Sequence, residues 1–320
     1  METEKNISGI SENLAESISE HSDKEIQKNL GILSGKRVAI SVSISEELEQ
    51  LGLSNHHLKD ITIETARYLI VNGATLLYGG DLRNDGYTRL FAELSYQYKF
   101  LSDRKFRFVN YFPFPNSKNV SLKDKADFVK QQVFPRILDV PKHLGDVDTD
   151  KKFDPFKNCN DRFIFSECFS DMRITMAKES DARILVGGKQ KGYLGYIPGI
   201  VEEAFQSLQA NRPIYLLGGF GGAAKSLIKV ISGDRPKELT NEFQFDTEFL
   251  MEFRKYCEGK SIINLDYDYL VKFFQEHNID SISKHNGLSV EENQILFESQ
   301  NIHELVFLIV KGLKNISSNN

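Results

Sequence analysis

From Lys36 onward the chain alternates apolar and small residues. In KRVAISVSIS, Val38, Ile40, Val42 and Ile44 fall on one face, and Ala39, Ser41, Ser43 and Ser45 on the other. That is the period of two expected of a strand. Residues 57–72 then change period: Leu58, Ile61, Thr65 and Leu69 recur at helical spacing, with Asp60 a candidate cap and Gly73 a candidate stop. ATLLYGG (74–80) predicts a second strand, DGYTRLFAELSYQY (85–98) a second helix and FRFVNYF (106–112) a third strand ended by Pro113 and Pro115. A helix is expected near 122–138, another over Ser166–Glu179, a strand over 183–186, a helix over 198–210 opened by Pro198, and a strand over 213–217. Strands alternating with helices predict an α/β fold: a mostly parallel sheet with right-handed crossovers, flanked by helices.

Four regions follow from this pattern. Residues 1–34 read as a polar N-terminal arm, and 35–235 as the α/β core, with an excursion over the sheet's mouth at about 113–165. Residues 236–285 are an aromatic-rich helical insertion. Residues 286–320 supply C-terminal helices that complete the core, signalled by Ser289-x-x-Glu292 and Asn301-x-x-Glu304.

Three apolar runs each end in a glycine pair: Gly79–Gly80, Gly187–Gly188 and Gly218–Gly219. In an open α/β sheet, ligands bind outside the carboxyl ends of the strands, where these pairs fall. Glycine lets a ligand approach the backbone, and a nearby helix start offers free N–H groups to phosphate. A small-molecule nucleotide is therefore the expected ligand. The expected binding residues are Ser43, Ser45, Gly79, Gly80 (with Asp81 and Arg83 beside them), Arg173, Gly187, Gly188, Lys189, Lys191, Gly199, Glu202, Glu203, Gly218 and Gly219. For Arg173 the competing reading is a surface ion pair with Asp171, Glu179 or Asp181. For the two lysines it is solvated loop charge, and for Ser41 and Ser43 a close-packed strand face. On the helix after Pro198, Ile200, Val201, Ala204, Phe205 and Leu208 form the buried stripe. Glu202 and Glu203 flank it on opposite sides, and only one is expected to face the ligand. Either carboxylate could bind ribose hydroxyls or act on an oxocarbenium-like centre.

Composition narrows the partners. A net charge of −5 argues against a nucleic-acid surface. No apolar run is long enough to span a membrane. The polar, acidic start is unlike a signal peptide, and three scattered cysteines without a C-x-x-C pair fit a reducing cytoplasm. Without paired histidine motifs, no metal and no bound cofactor is expected.

SVSIS, LLYGGD, Met172–Arg173, GGK…PGIVEEA and PIYLLGGFGGAA together resemble the SLOG superfamily, the Rossmann-like group that includes the cytokinin-activating LOG enzymes and the DprA fold. The nearest likeness is to its Sir2- and TIR-associated subgroup in bacterial antiphage systems, including the sensor half of Thoeris effectors. It covers about residues 36–235 and 286–315. The resemblance implies a nucleotide pocket in which Arg173 and Glu202 or Glu203 serve N-glycosidic hydrolysis. In the sensor-type relatives it implies instead that Lys189 or Lys191 and Arg173 hold phosphates and a glutamate holds ribose of a cyclic ADP-ribose-like signal. Here Gly187–Gly188 is followed by KQKGYLGYIPG rather than x-G-T, a departure that favours binding over hydrolysis. A homo-oligomer and a separate effector protein are the implied partners, and an empty-pocket scaffold is the third reading.

Overall fold

The computed structural model describes residues 31–80, 86–98, 106–260 and 266–318. Most of the predicted arm, and Asp81 and Arg83, lie outside them.

Six strands form one all-parallel sheet: β1 (Arg37–Ser43), β2 (Thr75–Gly79), β3 (Phe108–Phe112), β4 (Val133–Ile137), β5 (Ala182–Gly187) and β6 (Ile214–Leu217), in the spatial order β4-β3-β2-β1-β5-β6. The chain winds outward from β1 to β4, then returns to lay β5 on the other side of β1. That reversal makes the β1/β5 boundary the topological switch point, the place at the carboxyl ends of the strands where open α/β sheets bind ligands. Ser43 pairs in register with Gly187 at this boundary.

The alternation of β1 decides which helices cover which face. Val38, Ile40 and Val42 belong to the large core with α1 (Asn55–Val71) and α2 (Tyr87–Gln97). Ala39 faces the other way, where Leu77, Val109 and Tyr111 pack on Met172 and Met176 of α4 (Cys159–Glu179). α5 (Gly199–Gln209) packs beside α4. α1 starts five residues before Asp60: Ser54 and His57 form the capping box, because the Ser54 hydroxyl reaches the open first-turn amides.

The helix expected over 122–138 is two elements. α3 (Leu122–Lys130) stops at a turn in which Gln132 has φ 56°, and β4 follows. Pro135 is tolerated because β4 is an edge strand. The period of two in Val133–Ile137 is too short to stand out beside the preceding helix.

After β6 come α6 (Gly222–Ile231), the short α7 (Asn241–Gln244), α8 (Glu248–Cys257), α9 (Tyr267–Glu276), α10 (Ile279–Asn286), α11 (Val290–Glu298) and α12 (Ile302–Ser318). α12 packs on α1, and α11 on β6. The Ser289–Glu292 capping box opens α11 as the spacing predicts. Tyr267, Leu270 and Phe274 of α9 are buried in the main core, so the aromatic segment is packed structure. No helix among the described residues is long and apolar enough to cross a membrane.

Candidate functional site

The site is built in two tiers on the α4 side of β1. The upper tier is the rim formed by the carboxyl ends of β1 and β5. Gly187 and Gly188 have φ 66° and 106°, which L side chains rarely adopt. The left-handed step lets Gly188 N–H donate to the Ser43 carbonyl at 2.9 Å, and Lys189 N–H to Ser43 Oγ at 3.1 Å. Gly188 carbonyl in turn accepts from Ala223 N–H, tying the start of α6 to the rim. Glu47 reaches across from the β1–α1 loop, and its Oε2 accepts from Gly222 N–H at 2.9 Å. The buried Ser45 supports that turn by accepting from Glu47 N–H. An anion thus already rests at the first amide of α6, the place a helix start favours for negative charge. The Lys189 side chain stands exposed at this rim.

The lower tier is a buried charge cluster. Arg173 on α4 donates through Nη1 to Glu202 Oε2, and Ser170 Oγ donates to Glu202 Oε1 at 2.5 Å. Glu202 is fully buried. Burial pushes its carboxyl above the usual carboxylate range; the Arg173 charge and the Ser170 hydroxyl oppose the shift, and the neighbouring Glu203 adds to it. Glu203 lies 3.7 Å from Arg173 Nε and 3.7 Å from Arg183 Nη1, and its side chain keeps 14% exposure. Arg183, wholly buried at the start of β5, donates to Ser41 Oγ at 2.9 Å and to Ser207 Oγ at 2.8 Å. Burial lowers its pKa, and Glu203 works against that shift. Arg173 Nε and Arg183 Nη2 have no hydrogen-bond partner among the described residues.

The tiers are adjacent. Ser41 belongs to the lower and Ser43 to the upper, two residues apart on one face of β1, a rise of roughly 7 Å. The loop of residues 188–198 links them and is pinned by a polar stripe on α4. Arg162 Nη2 donates to Tyr193 carbonyl at 3.0 Å and Ser166 Oγ to Leu194 carbonyl at 3.2 Å. Ser170 and Arg173 continue the same stripe.

The remaining sequence-predicted residues divide plainly. Gly199 closes on the cluster, since a Cβ there would lie 3.0 Å from Arg173 Nη2. Gly79 is covered by Met172, whose Cε would sit 2.8 Å from an added Cβ, and Gly80 by Tyr78 and Thr88. Gly218 and Gly219 face the carbonyls of Phe297 and Ser299 at the end of α11, a packing contact rather than a rim. Lys191 turns outward, pairing with Asp246 and lying 4.2 Å over the Phe243 ring. Arg173 forms none of the surface pairs offered by Asp171, Glu179 or Asp181. Both glutamates, not one, turn toward Arg173.

Sequence reading missed Arg162, Ser166, Ser170, Arg183 and Glu47. A signal existed for the first three: with Arg173 they recur at i, i+4, i+8 and i+11, a polar stripe along one line of α4. No group of three or more His, Cys, Asp or Glu side chains that could hold a metal occurs among the described residues.

Among known families, the profile described as SLOG cluster2 matches residues 32–296, which include every residue of both tiers. No curated protein matches the chain.

Proposed function

The chain belongs to the SLOG cluster2 family, whose domain points to binding or processing of a nucleotide derivative, and from that premise we propose that it binds an NAD-derived or ADP-ribose-like ligand at the β1/β5 switch point. The observation that carries this reading is the Glu47 carboxylate on Gly222 N–H. The rim attracts an anion, and a ligand phosphate of higher charge competes for the same amide with help from exposed Lys189. Ribose hydroxyls then reach toward Glu203, whose carboxylate lies 3.7 Å from each of the two arginines and accepts no hydrogen bond among the described residues. Glu202 is a poorer partner, because Ser170 and Arg173 occupy both of its oxygens. In this reading the protein is a sensor, working as a homo-oligomer and reporting to a separate effector, and antiphage signalling is the setting that the sequence resemblance implies.

A second reading rests on the same carboxylate. A partly exposed Glu203 between two guanidiniums suits stabilisation of an oxocarbenium-like centre during N-glycosidic cleavage, with Arg173 orienting the leaving ligand.

Melting curves and product chromatography in parallel separate the two. The pure chain is incubated with NAD, ADP-ribose, cyclic ADP-ribose isomers and nucleoside monophosphates. A ligand at 100 times its Kd stabilises by about 2.7 kcal/mol when it binds only the folded state. Stabilisation without turnover supports the sensor. Release of free base that disappears in Glu203→Gln supports the hydrolase. No shift and no turnover with any of these nucleotides removes both.

A further inference from the structure

A cleft of about 410 Å³ lies where three segments meet: the excursion, the 188–198 loop and the aromatic helices α7 and α8. Phe156 comes from the first, Tyr193 from the second, and Phe249 and Leu250 from the third. Phe156, Phe249 and Leu250 take no part in the switch-point site. Phe156 is 58% exposed, a large aromatic side chain left at the edge of a concave surface.

Arg162 also lines the cleft, and it is the anomaly there. It is 5% exposed, stacked 5.0 Å over the Phe253 ring and 6.0 Å over Tyr193. Burial pulls its pKa down. Its Nη2 is spent on the Tyr193 carbonyl, while Nε has no hydrogen-bond partner among the described residues. It forms no ion pair with any described carboxylate. Its neighbour Asp161 is engaged by Lys151 at 2.5 Å and by Asp154 N–H. The other two charges of the cleft, Lys191 and Asp246, neutralise each other. Buried charge without a counter-ion is costly, and proteins keep it where something pairs with it. The neutral polar groups are already committed: Tyr193 hydroxyl donates to Gln244 Oε1 at 2.7 Å, and Gln244 Nε2 donates to Gln190 and Glu238 carbonyls.

We infer that this cleft is a second ligand site, for a small planar aromatic molecule bearing one anionic group. The ring lies against Phe156, Phe249 and Leu250, and the carboxylate or phosphate answers Arg162. A planar guanidinium already sandwiched by rings favours a forked anion over a point charge. The volume falls within the ordinary range for small-molecule pockets and accommodates a bicyclic ring with its anion. Arg162 and Tyr193 also pin the loop beside the switch point, but ligand binding in the cleft does not depend on a nucleotide there.

The chain has no tryptophan, so naphthyl emission can be read without a tryptophan background. 1-Naphthyl phosphate is titrated against the full chain by fluorescence anisotropy, with neutral 1-naphthol as control. The expected result is saturable binding of the phosphate ester, at least tenfold weaker in Arg162→Met, with 1-naphthol at least tenfold weaker than the ester on the unaltered chain. Phe156→Ala, at an exposed side chain, is expected to weaken the ester several-fold without moving the melting temperature, and it carries the test if Arg162→Met does not fold. No saturation up to millimolar ester, or unchanged affinity in Phe156→Ala, overturns the inference.

Discussion

Arg173 and Glu202 meet as a buried ion pair across the α4–α5 interface, directly beneath the loop that follows β5. The pair clamps two helices and leaves little room around itself, since a Cβ at Gly195 or Gly199 would lie 2.8 or 3.0 Å from the guanidinium. Removing one partner strands the other as a buried charge. Glu202→Ala is expected to cost about 3–5 kcal/mol in urea unfolding, and the double variant Arg173→Met/Glu202→Leu less than the sum of its single changes. Additive single costs would show that the two charges do not depend on each other.

Glu202 also makes stability fall with rising pH. Its folded pKa is raised above the unfolded value, so between the two values the folded state holds the proton that the unfolded state has released. Its contribution is therefore intact below the ordinary glutamate value of about 4.3 and is lost as pH climbs through the raised one. Subtracting the profile of Glu202→Gln isolates this group. The difference, unaltered chain minus variant, is expected to decline upward from about pH 4, and a difference that increases with pH would reverse the assignment.

Glu47 acts as a resident anion at the start of α6. Glu47→Gln is expected to lower stability by about 0.3–1 kcal/mol, the usual size of a charge at a helix start. It is also expected to tighten ADP-ribose several-fold by removing the competing charge. Weaker binding in this variant would mean that Glu47 assists the ligand instead.

The sheet was legible because its signals are local. Alternation in 37–43 and the apolar runs ending at Gly79, Gly187 and Leu217 each need only a few neighbouring residues to be seen. β4 was not, because an edge strand of five residues with a proline inside carries little pattern of its own. The candidate site was half legible. Arg173, Glu202, Glu203 and Gly199 were named and do come together, whereas Gly79, Gly218 and Gly219 are occupied by side chains and carbonyls from distant parts of the chain. A glycine looks the same in sequence whether a ligand or Phe297 presses on it. Arg183 was hidden for a related reason: an arginine at a strand start reads as surface charge until the fold places Ser41, Ser207 and Glu203 around it.

Cys168 and Cys257 are inert by burial. Both thiols are pushed up to about 12, which leaves a thiolate fraction on the order of 10⁻⁴ at pH 8. Iodoacetamide is expected to modify them only after unfolding in urea, as read by mass spectrometry. Rapid alkylation of Cys168 in the folded chain would contradict the packing around α4.

Calorimetric titration of ADP-ribose into the unaltered chain and into Lys189→Glu tests the switch-point site most directly, because the Lys189 side chain is exposed and its reversal spares the fold. Saturable binding that weakens at least tenfold in the variant at low ionic strength is expected. Equal affinity in both chains would place the ligand elsewhere.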